Sequence, residues 1–312
     1  MNFGLLDIQY QIGEIEIDLV GQYPEYAAVL DKTGMPRLYR SEQSVEDLAV
    51  SAAQKVRDRN GDVLAATTAL IVVSQSAEFQ LPSLACEVHR RLDLPTTSLA
   101  FDINQGCSGF VQALTVAVAL LQTHEHVLIV CVDKYRSKLR AGDRSTESVF
   151  SDAASATLLQ RDGDLEITRQ SHLTDGNGRR FLAQKMGGHL TMAGADVFLW
   201  TRNKVTKQIR TVIDEETALG RTPHSVILHQ ASKLVVETIR DLLPNEIFVP
   251  IDVARYGNTV SSTIPIVLAN YPSLTNQHGT LLLAGFGVGL SSSVVAITYG
   301  NSGHERKPLT TL

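Results

Sequence analysis

The chain has 312 residues, 44% hydrophobic and 20% charged, enough for two packed layers or two similar halves with sizeable cores. A formal charge of −5 argues against nucleic acid as a general partner, which needs a net basic face, while a local basic stripe can still meet an acidic partner. No apolar run reaches membrane length, and three widely spaced cysteines fit a reducing compartment without forming a zinc pattern, so a cytoplasmic protein without metal is expected.

The opening "MNFGLLDIQYQIGEIEIDLV" lacks a basic leader and alternates through Glu14, Glu16 and Asp18, which predicts a strand and not a signal peptide. "TTALIVVSQS" is β-branched and reads as a strand, and "LPSLACEVHRRLDL" as a helix that takes Cys86 into the core. The short apolar "TTSLAFDI" then predicts a buried strand, and "SGFVQALTVAVALLQT", apolar on nearly every face, a helix inside the core. Between them stands Cys107, flanked by Gly106 and Gly109. Unpaired N–H groups and the macrodipole at a helix N-terminus stabilise an anion, so a thiol at this elbow is expected to ionise more readily than a free one. The bland alternative is a buried structural cysteine.

"HVLIVCVDKY", which carries Cys131 into the core, and "ASATLLQ" continue the α/β alternation. Past the turn-rich "RDGD" and "TDGNGRR" the theme resumes with a long helix over "GADVFLWTRNKVTKQIRTVIDEETALG" and a strand "HSVILHQ". A helix "SKLVVETIRDLL", a strand "NEIFVPID", a helix starting in "GNTVSSTIPIVLANY" and the strands "GTLLLAGFG" and "LSSSVVAITYG" follow. The helix after Cys107 and the one after Gly257 are both small-residue, apolar and glycine-led. This weak self-similarity predicts a duplicated fold with two buried central helices, divided into 1–163 and 164–312.

Of nine histidines, His229 ends the apolar strand "SVILH", where an α/β protein points residues into its ligand crevice. The others, His304 among them, fall in polar or turn contexts, except that His189 is left open; "THEH" lacks the helical spacing of a metal pair. Asn258 alone reads as a helix cap. Together with Cys107 and His229 it supplies a nucleophile, an imidazole and a neutral donor, each at a strand–helix junction. The Gly285–Gly289 stretch "GFGVG" lacks dinucleotide-loop spacing and instead suits a turn that aims a backbone N–H at an oxyanion.

"DINQGCSGF", "LTMAGADVF", "HQAS", "YGNT" and "GFGVG", in this order, resemble β-ketoacyl-acyl carrier protein synthase III of the thiolase superfamily. The resemblance covers nearly the whole chain. It implies an α/β thiolase-like fold, a duplicated five-layer αβαβα sandwich, normally a homodimer, with the triad Cys107, His229 and Asn258. It further implies a Cys107-linked acyl intermediate, decarboxylative condensation with a malonyl thioester, and an oxyanion hole from the backbone N–H groups of Cys107 and Val288. Val288 stands where the family often has glycine, which a backbone role tolerates. The substrates implied are acyl and malonyl thioesters of coenzyme A or acyl carrier protein, with no permanently bound cofactor.

Other departures bear on substrate. Lys32 replaces a frequent arginine, Ala28 a frequent tryptophan platform, and Ser232 in "HQAS" a usual asparagine, which weakens the case for ordinary coenzyme A and pantetheine contacts. Leu81 falls where a phenylalanine often closes the partner subunit's acyl pocket. Together these point to a specialised lipid or secondary-metabolite pathway. Lys204, Lys207 and Arg210 recur every three residues, so they are expected to share a helix face able to meet an acidic carrier protein, with Lys233 near. Competing readings are an acyltransferase of the same fold that uses a hydroxyl or amine acceptor, a non-catalytic partner subunit, which the retained Cys107 opposes, and a papain-like hydrolase. The last conflicts with the position of the cysteine and the absence of a following tryptophan.

Overall fold

The computed structural model describes residues 2–143 and 145–299; His304 lies outside the described residues. In the first half, β1 (Asn2–Ile12) is followed by a hairpin of β2 (Ile15–Asp18) and β3 (Arg37–Arg40), whose connection holds α1 (Leu19–Gln22) and α2 (Ala27–Thr33). Then come α3 (Val45–Ala65), β4 (Ala69–Val73), α4 (Leu84–Arg91), β5 (Leu99–Ile103), α5 (Gly109–Leu120), β6 (His126–Asp133) and β7 (Ala153–Arg161). The second half contains β8 (Leu165–Thr174), a small hairpin of β9 (Leu182–Ala183) and β10 (Thr191–Met192), α6 (Gly194–Trp200), α7 (Thr206–Ala218) and β11 (Pro223–Leu228). It closes with α8 (Lys233–Arg240), α9 (Val253–Tyr256), α10 (Thr263–Asn270), α11 (Ser273–Asn276), β12 (Thr280–Gly287) and β13 (Ser291–Tyr299).

The main strands run β5-β4-β6-β7-β1 in one half and β11-β12-β13-β8 in the other. Among the described residues the two sets pair where Asn2 and Phe3 of β1 meet Glu166 and Leu165 of β8. Parallel strands occupy one side of each set and antiparallel strands the side nearest the junction, so the order repeats. The sequence "NEIFVPID" predicts a further strand. Among the described residues only a single parallel bridge, Ser225 of β11 with Phe248, forms there, because Pro244 just before the segment and Pro250 within it have no N–H to donate to a ladder.

Burial on both faces explains why these strands are continuously apolar. On β4, Ala69, Ile71 and Val73 point to the central layer, while Leu70 and Val72 point outward to α3 and α4. On β12, Leu281 and Leu283 face the centre, and Leu282, Ala284 and Phe286 face the layer of α7 and α8. Between the sheets lie α5 and α10, packed through Phe110, Val111, Ile264 and Val267 against residues of both halves. The layers are therefore α, β, α, β, α.

Two further local features depart from expectation. The long helix over 194–218 is interrupted by a π turn, Thr201–Val205. Cys131 is buried, but Cys86 is exposed on the outer side of α4, since its neighbours Leu84, Ala85 and Val88 already fill the core-facing stripe. The longest helix, α3, is opened by a capping box in which Ser44 and Asp47 each accept the other's backbone N–H. Among the described residues no helix is long and apolar enough to cross a membrane.

Candidate active site

Cys107 lies in a 3-10 turn, Gly106–Ser108, that leads from β5 into α5. Gly106 adopts a left-handed conformation, φ 48°, that favours glycine, and a Cβ there would also stand 2.3 Å from Gln75 Oε1 and push that side chain aside. Strand β12 presses on the other side of the elbow. A Cβ on Gly287 would lie 2.8 Å from Cys107 Cβ and 3.1 Å from its sulfur, so only glycine permits this approach.

The expected promotion of thiol ionisation is overturned by the surroundings. Cys107 is 6% exposed, and burial together with the Asp133 carboxylate pushes the thiol well above its ordinary range, outweighing the opposing backbone N–H. At neutral pH Cys107 is therefore a protonated thiol.

His229 leaves the end of β11 fully inside the protein, 1% exposed, with its backbone N–H on Ala284 carbonyl at 2.9 Å. Its Nδ1 meets Thr263 Oγ1 at 2.7 Å, and its ring stands edge-on to Phe286 at 5.5 Å and 85°. Burial holds its pKa down at about 3, so the imidazole is neutral near pH 7.

Asn258 enters from the second half after Gly257, whose φ is 69°. Its backbone is bound on both sides, donating to Val149 carbonyl at 3.1 Å and accepting from Ser151 N–H at 2.9 Å. Its Oδ1 accepts the Val260 N–H at 2.9 Å, which directs the amide nitrogen away, with Ala231 carbonyl at 3.4 Å. The residue is thus a local cap through its oxygen and an available donor through its nitrogen. Val260, β-branched, holds φ at 54°, a strained conformation next to the site.

Thiol, imidazole and carboxamide open onto one cavity of about 410 Å³. Its walls are largely apolar, with Val29 of α2, Val197 and Phe198 of α6, and Leu234 and Val235 of α8. Val288 follows Gly287 and is half-buried against the hydrophobic cluster that holds Cys107; its carbonyl accepts Ser291 Oγ at 2.6 Å.

The remaining residues singled out in the sequence are distributed around and away from this cavity. Ser232 lines it and also caps α8, accepting Val235 N–H at 3.3 Å. Lys32 lies in the last turn of α2 and Lys233 starts α8, both exposed; the helices meet where Lys233 packs over Gly34. Lys207 and Arg210 are exposed on α7, but Lys204 belongs to the preceding π turn, so the three do not share one regular helical face. Leu81 is 83% exposed and forms no part of the cavity wall. His189 is exposed between β9 and β10. Sequence reasoning missed Thr263 and Asp133, whose partners are distant in the chain; Gly287 was visible only as part of a glycine-rich turn.

Comparison with known proteins now joins this geometry to the motifs. The family model described as 3-oxoacyl-[acyl-carrier-protein (ACP)] synthase III matches residues 101–176, and its C-terminal counterpart matches 223–299. A Bacillus cereus protein named β-ketoacyl-[acyl-carrier-protein] synthase III 2 is 30% identical over 283 residues, 84% of this chain and 86% of the relative. The chain belongs to the β-ketoacyl-acyl carrier protein synthase III family. A Koribacter versatilis synthase III is 29% identical over 297 residues, 87% of this chain and 89% of its own. The crystal structure of 3-oxoacyl-(acyl-carrier protein) synthase from Burkholderia xenovorans superposes with TM-score 0.86 at 27% identity, covering 96% and 95% of the two chains. Membership of this family makes the chain a condensing enzyme, and its layers and duplicated strand order are those of the thiolase fold.

Proposed function

We propose that Cys107 carries an acyl group as a thioester and that His229 and Asn258 bind the enolate of a malonyl thioester during decarboxylative Claisen condensation. The observation that carries this reading is the convergence of thiol, imidazole and carboxamide on one apolar cavity. In the first half-reaction the Cys107 sulfur attacks the donor carbonyl, whose oxyanion is assigned to the backbone N–H groups of Cys107 and Val288. The donor's carbon–sulfur bond breaks, the Cys107 proton goes to the departing thiolate, and coenzyme A or acyl carrier protein leaves as a thiol.

In the second half-reaction the malonyl carboxylate departs as carbon dioxide and its bonding electrons form an enolate. The enolate carbon attacks the Cys107 thioester, making the new carbon–carbon bond and expelling the Cys107 thiolate, which takes up a proton from solvent in place of the one lost with the first thiol. A neutral His229 suits this step: it donates to the enolate oxygen while being too poor an acid to quench the carbon nucleophile. The 2.7 Å contact with Thr263, against that hydroxyl's 3.2 Å contact to Val260 carbonyl, supports a proton on Nε2 and Nδ1 as acceptor.

The apolar walls and the replacements Ala28, Lys32 and Ser232 support a thioester donor other than that of ordinary fatty acid initiation, in a specialised lipid or secondary-metabolite pathway. We assign the pantetheine arm to the space between α2 and α8, flanked by Lys32 and Lys233. Lys204, Lys207, Arg210 and Lys233 are assigned to an acidic carrier protein, and Leu81 to the acyl pocket of the second subunit in a homodimer of two-part protomers, 1–163 and 164–312. Loading with acyl-coenzyme A and acyl-carrier thioesters, followed by intact mass, tests the nucleophile. Wild-type protein should gain the acyl mass and Cys107→Ala should not; equal loading of both rejects the assignment.

A further inference from the structure

Asp133 ends β6 with no exposed surface, and it joins the two loops that present Cys107 and Asn258. Its Oδ1 accepts the Gln75 N–H at 2.9 Å and the Ser76 hydroxyl at 3.2 Å. Its Oδ2 accepts the Ser261 hydroxyl at 2.6 Å and the Ser261 N–H at 3.3 Å. These four bonds all come from neutral donors.

Each side leads to the site. Gln75 Oε1 fills the space beside Gly106, where a Cβ would come within 2.3 Å, and also accepts the Tyr135 hydroxyl at 2.7 Å. Ser261 follows strained Val260, whose N–H holds the Asn258 side chain. A buried carboxylate without such bonds is costly, so full satisfaction by these two loops fixes them relative to one another.

We propose that Asp133 is a positioning residue that holds the Cys107 elbow from the first half in register with the Asn258 turn from the second. The inference rests on the roles proposed for those two residues. Burial also raises the Asp133 pKa to about 6. The titratable groups in its field are Cys107, Cys131 and Tyr135, all raised by its charge, and half-buried Lys138, which it pulls up against desolvation.

Asp133→Asn tests this, because its amide can accept from one loop only and turns an N–H toward the donors of the other. The ratio of condensation rate to acyl-loading rate should fall about tenfold or more, on the scale of a misplaced catalytic donor. Iodoacetamide alkylation of Cys107 at pH 7 should become faster, because removing the Asp133 charge removes one of the two causes that raise the thiol, the other being burial. Ser261→Ala keeps the charge and removes the shortest bond, so it should lower the ratio without speeding alkylation. Circular dichroism and thermal melts establish that each variant is folded; if Asp133→Asn does not fold, Ser261→Ala decides alone. An unchanged ratio in the folded variants overturns the Asp133 proposal while wild-type loading stands. Wild-type protein that takes no acyl group at Cys107 overturns both readings.

Discussion

Replacing Gly287 by alanine would put a methyl carbon 2.8 Å from Cys107 Cβ and 3.1 Å from its sulfur. Carbon atoms pack at about 3.5–4.0 Å, so strand β12 or the elbow must yield by roughly 1 Å. Overpacking of this kind costs about 1–3 kcal/mol, which lowers the melting temperature by about 2–4 °C for each kcal/mol. With Cys107 in the proposed acyl-carrying role, a displacement of that size costs about 10²-fold in rate, so acyl loading should suffer far more than folding. Single-turnover loading read by intact mass, beside a thermal melt, separates the two. Gly61→Ala is the reference, since a Cβ there meets nothing within 4 Å on an exposed helix position. Loading of Gly287→Ala at the wild-type rate would refute the close approach of β12 to Cys107.

Asn258→Ala should leave acyl loading intact and reduce malonyl decarboxylation about 10²-fold or more, as for loss of an oxyanion donor; parallel loss of both activities contradicts a specific enolate role. Stability should also report on His229. Between its folded pKa of about 3 and an unfolded value of about 6.5, only the unfolded chain binds the proton, so His229 reduces stability as pH falls below about 6.5. The slope is at most about 1.4 kcal/mol per pH unit. Asp133 acts oppositely between about 3.8 and 6, where the folded protein retains a proton the unfolded chain releases, so its contribution falls as pH rises. Urea unfolding of His229→Asn should therefore gain on wild type as pH falls from 6.5 to 4; a pH-independent difference contradicts the buried neutral imidazole.

Most of the fold was legible because burial on both faces writes its own pattern. Strands β4, β6 and β12 are continuous apolar runs, and α5 and α10 lack a polar face, as a central layer requires. Cys107 and His229 stand out because each follows an apolar strand and precedes a helix, whereas Asn258, expected at a third such junction, lies between α9 and the turn into α10. What escaped was non-local. The thiol's raised pKa depends on Asp133 and enclosure, neither of which is visible in "QGCSG". Thr263 is matched to His229 only by packing α10 beneath the end of β11, and the spacing of Lys204, Lys207 and Arg210 did not reveal the π turn that breaks their register. The segment "NEIFVPID" carried strand composition, yet Pro244 before it and Pro250 within it outweighed that composition.

Intact-protein mass spectrometry with a malonyl-carrier-protein chase tests the condensation claim most directly. Acyl mass on Cys107 should disappear on the chase and reappear as a product two carbons longer, with release of carbon dioxide. Acyl mass that survives malonyl partners but leaves on addition of alcohols or amines would contradict condensation and identify the protein as an acyltransferase.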